Sequence, residues 1–334
     1  MKTWKLVAPK TFELQDDNTI VSPDTIKIKI KKTFFSYTDI MLYNGTADIK
    51  YPITPCRMAS GVVSEIYNDC GFEMGQRVVI TPYLDKSTNP EEKKEKIRNN
   101  IDVLGFHKNG FLADYVIVPL ENVNALPEGI TDTQALFIEY ISIANKTYDV
   151  LDIKKRQYTA ILGGCILGNI MAQLAIYHQS IPILIDGDEN KLKLAQDNGI
   201  YYTINSNKED VIRSVLEITG GQMADNCIYN YSDTQSPSDI LKLTRNRGQI
   251  AAIGYAHDKV DMQVDMSPVL ENQLKIYGIS NGYKETLTSI NLLQNKAIIV
   301  DNFIGENINM LEAPMFFSKF DANFNRIKKT IVNC

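Results

Sequence analysis

Residues 158–168 read Tyr-Thr-Ala-Ile-Leu-Gly-Gly-Cys-Ile-Leu-Gly, which predicts a buried strand, a glycine turn and the start of a helix. Gly163 and Gly164 permit a tight turn, and Gly168 allows the helix to pack close to the strand. A second apolar run then ends at Asp186, about twenty residues after the glycines. This order of elements, with its terminal carboxylate, is typical of a unit that binds a dinucleotide.

Asp186 indicates which dinucleotide this unit binds. A carboxylate at this position can accept hydrogen bonds from the adenosine ribose and would repel the 2′-phosphate of NADP, so the predicted cofactor is NAD. Glycine-rich turns also occur in α/β proteins that bind flavin, S-adenosylmethionine or no ligand, but the flanking strands and the carboxylate favour a dinucleotide. The candidate cofactor-binding residues of this segment are Gly163, Gly164, Cys165, Ile166, Leu167, Gly168, Asp186 and Lys191.

One position departs from the usual GxGxxG pattern. Cys165 stands where the middle glycine lets the backbone approach the pyrophosphate, so its side chain could weaken cofactor binding. We interpret Cys165 as a packed small residue rather than a reactive thiol. Together with Cys56, Cys70, Cys227 and Cys334 it makes five scattered cysteines without paired spacing, which is typical of reduced thiols.

Length and composition limit the class of protein. The chain has 334 residues, enough for two domains, and its hydrophobic content of 44% and charged content of 22% are those of a soluble globular protein. A net charge of −5 gives no reason to expect nucleic acid or an anionic membrane as a partner. The chain shows no signal peptide and no apolar run long enough to span a bilayer, so we expect a cytoplasmic protein with a small-molecule substrate.

The hydropathy pattern changes near residue 149. Before it, short alternating runs separated by turns predict a small β-barrel. These runs are Ile26–Lys31, Gly61–Ile66, Arg77–Ile80 and Tyr115–Val118. After it, apolar runs alternate with helical patterns and predict a doubly wound parallel sheet. Its predicted strands are Ala160–Leu162, Ile183–Ile185, Tyr202–Ile204, Cys227–Tyr229, Gln249–Ile253 and Lys275–Gly278. The mixed-charge segment 86–100 predicts a surface loop or a short solvated helix.

A series of short motifs runs along nearly the whole chain. The motifs are Ser36-Tyr-Thr-Asp39, Tyr43-Asn-Gly45, Gly61-Val-Val63, Met74-Gly-Gln-Arg-Val78, the segment from His107 to Tyr115, Leu126-Pro127, Ile138-Glu139, the run from Asp186 to Ala195, and a closing strand from Arg326 to Val332. In this order the series resembles the medium-chain dehydrogenase/reductase family. The resemblance implies an α/β protein with a GroES-like β-barrel catalytic domain at 1–148 and 284–334 and a Rossmann domain, a doubly wound parallel sheet, at 149–283. It also implies a homodimer or homotetramer.

The zinc-binding positions of this family are replaced here. Members of its zinc branch bind a catalytic metal through a cysteine before the Thr/Ser-Asp pair and through a Gly-His-Glu motif, but this chain has Ser36 and Cys56-Arg57-Met58 there. A hydroxyl, a cation and a thioether cannot replace a thiolate and an imidazole around Zn²⁺. The family's structural-zinc lobe corresponds to the charged segment after Leu84, which lacks cysteine. We therefore expect no metal at either position.

The resemblance also indicates residues that could act without zinc. Arg57, in place of a histidine ligand, could offer a fixed positive charge, Thr38 matches the hydroxyl that begins a proton relay, and Glu139 matches a glutamate that polyol-type members hold near the metal. Two interpretations of Arg57 stay open: a structural ion pair with Asp39 or Glu139, and direct contact with the substrate. The candidate catalytic residues are Thr38, Arg57, Glu139 and Ser36, and the strand-end residues expected beside the nicotinamide are Ile253, Gly254, Ser280 and Asn281.

These features favour a zinc-independent, NAD(H)-dependent oxidoreductase acting on a small hydroxyl or carbonyl compound. The opening segment and Glu139 are similar to those of polyol and pentulose-phosphate reductases. Two alternatives stay open. A zinc-free quinone or enoyl reductase is one, although such enzymes usually prefer NADPH, against which Asp186 argues. The other is a catalytically inactive nucleotide-binding sensor, scaffold or partner subunit.

Overall fold

The computed structural model describes residues 1–17, 19–86, 101–230, 237–254, 265–319 and 328–334. The chain forms two compact units, of which unit 1 comprises Met1–Glu139 and Phe303–Cys334, and unit 2 comprises Tyr140–Asn302. The charged loop predicted from the sequence lies, from residue 87 to residue 100, outside the described residues.

The two units divide the chain after residues 139 and 302, whereas the boundaries expected from the sequence fall after residues 148 and 283. Contacts within unit 2 account for the difference. The Tyr148 hydroxyl donates to the Met171 carbonyl at 2.8 Å, and the hydroxyls of Ser142 and Ser289 lie 2.9 Å apart. These bonds join both flanking segments to unit 2, and the domain boundaries expected from the sequence remain a proposal.

Unit 1 is built around strand β3, Thr25–Phe34. Alternation along this strand puts Ile26, Ile28 and Ile30 in the core with no exposed surface, as period-two patterning requires. Strand β4, Ala59–Ile66, pairs antiparallel with one edge of β3. The strands β8, Tyr115–Pro119, and β17, Lys329–Asn333, share the other edge. The expected strands at 26–31, 61–66, 77–80 and 115–118 all form, and the closing strand near the C-terminus joins this sheet.

The remaining elements of unit 1 complete three sheets. Its strands are β1 Lys2–Ala8, β2 Thr11–Asp16, β5 Arg77–Ile80, β6 Tyr83–Asp85, β7 Ile101–Val103, β8 Tyr115–Pro119, β9 Val123–Ala125, β16 Ile304–Asn309 and β17 Lys329–Asn333. The main sheet has the order β16-β17-β3-β4-β5-β9, with β8 on β3, while β1 pairs with β2 and β6 pairs with β7. Its helices are α1 Tyr37–Asn44, α2 Asp132–Ala135 and α10 Ala313–Ser318, and α3 Ile138–Leu151 begins in this unit.

Unit 2 is a six-stranded sheet in which every neighbouring pair is parallel. The strand order, β12-β11-β10-β13-β14-β15, confirms the doubly wound sheet predicted from the sequence. Its strands are β10 Tyr158–Leu162, β11 Ile181–Asp186, β12 Tyr202–Asn205, β13 Ala224–Asn230, β14 Thr244–Ile253 and β15 Lys275–Ile279. Its helices are α4 Ile166–Tyr177, α5 Glu189–Asp197, α6 Val211–Ile218, α7 Pro237–Leu243, α8 Ser267–Glu271 and α9 Thr286–Gln294.

Two further observations concern the described residues as a whole. All five cysteines are free thiols, and burial raises the pKa of the Cys227 thiol to about 12. None of the helices that the structure describes is both long and apolar enough to cross a membrane.

Helix α4 approaches the sheet very closely at Gly168. A Cβ atom at this position would lie 1.8 Å from the carbonyl oxygen of Gly163, which is backbone and cannot move aside as a flexible side chain would. The helix is buried over Ile166 to Ala175, so it cannot relieve such an overlap by moving outward without opening the core. Gly168 therefore has the packing role that the sequence motif assigns to it.

We expect Gly168→Ala to destabilise unit 2 by about 2–4 kcal/mol, because the added methyl group must displace backbone. The matched control is Gly129→Ala, since a Cβ at Gly129 meets no atom within 4 Å and should change stability by less than about 1 kcal/mol. Urea unfolding followed by circular dichroism measures both. Equal stability of the two variants would contradict the close packing.

Candidate active site

The glycine turn of unit 2 connects strand β10 to helix α4. Gly163 has φ +107°, a conformation that favours glycine, and its N–H donates to the Ile185 carbonyl at 2.9 Å. Cys165 caps the helix with extended backbone, and the first N–H groups of the helix beyond it have no partner within the helix. Such N–H groups, with the helix dipole, suit the phosphates of a nucleotide.

The Asp186 carboxylate is held by three donors at the end of β11. Oδ2 accepts from the Gly164 N–H at 2.7 Å and from Lys191 Nζ at 3.0 Å, and Oδ1 accepts from the Asp188 N–H at 2.8 Å. The side chain is 6% exposed. These bonds fix the orientation of the carboxylate beside the turn, and Lys191 balances its charge.

The Cys165 side chain is buried against strand β13. Its Sγ accepts a hydrogen bond from Asn230 Nδ2 at 2.7 Å. The thiol thus packs toward the end of the neighbouring strand, which agrees with its interpretation as a small packed residue. Asn230 is a residue that the sequence analysis missed, and the signal available was a polar side chain directly after the predicted strand at 227–229.

A cavity of about 830 Å³ lies beside Asp186 at the carboxyl ends of β11 and β12. Lys191 lines it, as do Asn205 and Ser206, which the sequence analysis did not single out. Asp186 and Lys191 are thus brought together at one cavity. The charge and hydrogen-bonding groups around it suit an adenosine ribose, so the residues present fit a dinucleotide.

The other predicted cofactor residues follow strands β14 and β15. Ile253 ends β14, the Gly254 N–H donates to the Ile279 carbonyl at 3.1 Å, and Ser280 follows β15. Asn281 Nδ2 donates to Ser280 Oγ at 3.2 Å, and its Oδ1 accepts from the Tyr283 N–H at 3.1 Å. These residues therefore lie at the same, carboxyl-terminal edge of the parallel sheet as the glycine turn.

In unit 1, Arg57 forms a buried ion pair with Glu139. Arg57 Nη2 donates to Glu139 Oε1, and the two residues are 4% and 6% exposed. The Tyr83 hydroxyl donates to the same oxygen at 2.9 Å. Tyr83 was missed by the sequence analysis, because it lies in a short strand without any motif. Of the two partners left open for Arg57, the structure selects Glu139.

The Asp39 carboxylate accepts hydrogen bonds from Ser36 and Cys56 and forms no direct ion pair with Arg57. Its Oδ2 accepts from the Ser36 N–H and hydroxyl at 2.6 Å each, and its Oδ1 accepts from the Cys56 N–H at 2.7 Å. Burial raises the pKa of the Asp39 carboxyl, against the effect of these hydrogen bonds and of the Arg57 charge. Thr38 is buried on the same helix, α1.

Cys56 is held in a conformation that favours glycine. It has φ +72°, and its carbonyl accepts from the Phe111 N–H at 2.9 Å. Cβ atoms at Gly105 and Gly110 would lie 2.5 and 2.1 Å from that carbonyl oxygen. The backbone around Cys56 is thus tightly enclosed, which fixes the direction in which the next residue, Arg57, leaves the chain.

The donor groups at this place do not fit a catalytic zinc ion. A guanidinium donates hydrogen bonds and has no lone pair for a metal, and Met58 offers only a thioether, which is a soft ligand unsuited to Zn²⁺ beside oxygen donors. The Ser36 hydroxyl is already bonded to Asp39. Among the residues described, no group of three or more His, Cys, Asp or Glu side chains is arranged to hold a metal.

Comparison with known proteins identifies both parts of the chain. Residues 22–128 match the alcohol dehydrogenase GroES-like domain, and residues 167–295 match the zinc-binding dehydrogenase domain. A sorbitol dehydrogenase of Halalkalibacterium halodurans is 26% identical over 259 residues, covering 76% of this chain and 75% of that protein.

Several solved structures share the fold over the full chain, two of which are described with a bound dinucleotide. One, described as a zinc-binding dehydrogenase from Sinorhizobium meliloti bound to NADP, has a TM-score of 0.88 at 21% identity and covers 100% of this chain and 99% of its own. The other, described as a short chain alcohol dehydrogenase from Escherichia coli complexed with NADH, has a TM-score of 0.89 at 19% identity with the same coverage.

We expect Glu139→Ala to lower the free energy of unfolding by about 3–5 kcal/mol, because it leaves the Arg57 charge buried without its partner. The double variant Arg57→Met/Glu139→Leu should recover most of that loss, since it removes both charges. Glu65→Ala is the control, because the Lys27–Glu65 pair is partly exposed and should contribute only about 0–1 kcal/mol. Urea unfolding measures all three. A Glu139→Ala variant as stable as the parent would contradict a buried charge pair.

Proposed function

Because this chain belongs to the medium-chain dehydrogenase/reductase family and is an alcohol dehydrogenase-like oxidoreductase, we propose that it transfers hydride between NAD(H) and a small hydroxyl or carbonyl compound without a catalytic zinc ion. The observation that carries this proposal is the buried Arg57–Glu139 pair, which stands where the family's zinc branch has a histidine ligand. The cation of this pair belongs to the chain itself, so it is present whether or not metal is available.

The cofactor assignment rests on unit 2. When bound, the nicotinamide supplies the hydride acceptor in alcohol oxidation or the donor in carbonyl reduction. The turn from Gly163 to Gly168, with Cys165, Ile166 and Leu167 between, would bind the pyrophosphate through backbone N–H groups. Asp186 and Lys191 would bind the adenosine ribose, and Ile253, Gly254, Ser280 and Asn281 would lie beside the nicotinamide.

The substrate assignment rests on unit 1. Arg57 provides a fixed positive charge that would act on the substrate through Glu139, because its guanidinium holds the carboxylate that would face the substrate oxygen. Glu139, Thr38 and Ser36 provide oxygens for hydroxyl groups of the substrate. Polyols are the favoured class, because one similar protein is a sorbitol dehydrogenase.

Titration with NADH and with NADPH tests the cofactor assignment. We expect NADH to bind at least about tenfold more tightly, because the fixed Asp186 carboxylate repels the 2′-phosphate, and Asp186→Ala should narrow the ratio by about tenfold. Asp197→Ala, at the exposed end of helix α5, is the matched control and should leave the ratio unchanged. Equal affinity of the parent for both cofactors would refute the NAD assignment.

Turnover with and without a chelator tests the absence of zinc. We expect oxidation of at least one alcohol of a panel of glycerol, arabitol, xylitol, sorbitol and galactitol, with full activity after dialysis against EDTA and no stoichiometric zinc by mass spectrometry. Zinc that is stoichiometric and required for turnover would overturn the proposal. Turnover confined to enones would favour an enoyl reductase, and NADH binding without turnover of any alcohol, carbonyl or enone would favour an inactive nucleotide-binding protein.

A further inference from the structure

Both donors in the Glu139 cluster use the same carboxylate oxygen. Arg57 Nη2 and the Tyr83 hydroxyl each donate to Oε1. Two donors on one oxygen fix the plane of the carboxylate, because a quarter turn about its last torsion would break both bonds and a half turn only exchanges the two equivalent oxygens. The cluster therefore leaves the second oxygen, Oε2, in a defined direction.

Oε2 is available to a ligand. None of the described residues donates a hydrogen bond to Oε2. This oxygen keeps contact with solvent, because it is not among the fully buried side-chain atoms that have no hydrogen-bond partner. An ionised carboxylate oxygen is an acceptor only, and it binds a hydroxyl donor better than it binds an anion. The group that this cluster presents is therefore an acceptor for a neutral hydroxyl.

We propose that Glu139 Oε2 accepts the proton of the reacting hydroxyl, and that Arg57 and Tyr83 are positioning residues that hold the carboxylate for this transfer. This inference rests on the proposed function. In alcohol oxidation, the substrate O–H bond breaks and its proton goes to Oε2, the carbinol C–H bond breaks and its hydride goes to NAD⁺, and the C=O bond forms. Glu139 then releases the proton to solvent, which balances the reaction as NADH and H⁺. Carbonyl reduction uses the same groups in reverse.

The ion pair between Arg57 and Glu139 also bears on which charge the substrate can carry. The Arg57 charge is balanced within the cluster by Glu139, and a second carboxylate, Asp39, is near enough for the Arg57 charge to act on it. The Arg57 charge is therefore already balanced, and it would not by itself attract a phosphate or carboxylate group at the reacting end of the substrate. A neutral hydroxyl compound is the class of substrate that fits.

Glu139→Gln tests the proton transfer. The amide keeps the size of the side chain and can still accept from Arg57 and Tyr83 through its oxygen, but it cannot take up a proton. For the fastest alcohol of the polyol panel, we expect kcat to fall by about 10²–10⁴-fold, while the dissociation constant of NADH changes by less than twofold. Glu139→Ala should show the same loss and regain turnover in proportion to added sodium formate, whereas Glu139→Gln, which fills the space, should not.

Tyr83→Phe tests the positioning role. It removes one of the two donors to Oε1, so we expect kcat to fall by about tenfold at unchanged KM for the alcohol and unchanged NADH affinity. Tyr67→Phe is the matched control, since Tyr67 is 59% exposed, and its kcat should equal that of the parent.

The outcomes separate this inference from the proposed function. If the parent oxidises an alcohol but Glu139→Gln keeps more than about a tenth of kcat, the proton acceptor is another group and the inference fails alone. If Glu139→Ala does not fold, the Glu139→Gln and Tyr83→Phe rates decide. If the parent oxidises no alcohol and reduces no carbonyl, the proposed function fails and this inference fails with it.

Discussion

The ion pair between Arg57 and Glu139 sets the conditions for the rest of unit 1. Charged groups this deeply buried are stable only when paired and hydrogen-bonded, because neither can recover its hydration. The surrounding chain meets this requirement with the Tyr83 hydroxyl on the Glu139 carboxylate. The backbone that carries Arg57 is enclosed by Gly105 and Gly110, which approach the Cys56 carbonyl too closely for any side chain. A buried pair held on both sides is a rigid group.

Unit 2 also holds a buried carboxylate, that of Asp186, with hydrogen bonds and a cation, but the donors differ from those in unit 1. Asp186 is held by two backbone N–H groups and by Lys191, so its position is fixed by the glycine turn itself. This turn depends on Gly163 for its backbone conformation, and it depends on Gly168 for the close approach of helix α4 to the Gly163 carbonyl. The nucleotide site is therefore a product of local backbone geometry, whereas the cluster in unit 1 is assembled from residues far apart in the chain. This difference explains why neighbouring residues along the chain indicated Asp186 and Lys191, whereas Arg57 and Glu139 were named only through the family resemblance and the partner of Arg57 stayed open.

The sequence predicted the elements of both units well, because periodicity and turn residues act locally. The alternation of isoleucine and lysine in β3 indicates which face of that strand is buried, and the apolar runs of unit 2 indicate its buried strands. Residues 140–148 and 284–302 show the limit, because they lie in unit 2 but outside the range 149–283 expected from the sequence. Side-chain bonds such as that between Ser142 in helix α3 and Ser289 in helix α9 join them to unit 2. No pattern along the chain records such a partner. Tyr83 was missed for the same reason, whereas Asn230 carried a signal that the sequence analysis did not use, a polar side chain directly after the predicted strand at 227–229.

The residues by themselves determined the fold class and the glycine turn with Asp186, because residue type and spacing are properties of the chain alone. The family resemblance implied, in addition, that Ser36, Arg57 and Met58 stand at the positions of the zinc ligands. Tertiary structure decided that Arg57 pairs with Glu139 while Asp39 bonds Ser36 and Cys56, and that Tyr83 shares the Glu139 oxygen with Arg57. Apart from the local contact of Asp39 with Ser36, these contacts join residues that are 17 to 82 positions apart along the chain, and they exist only once the sheet has formed.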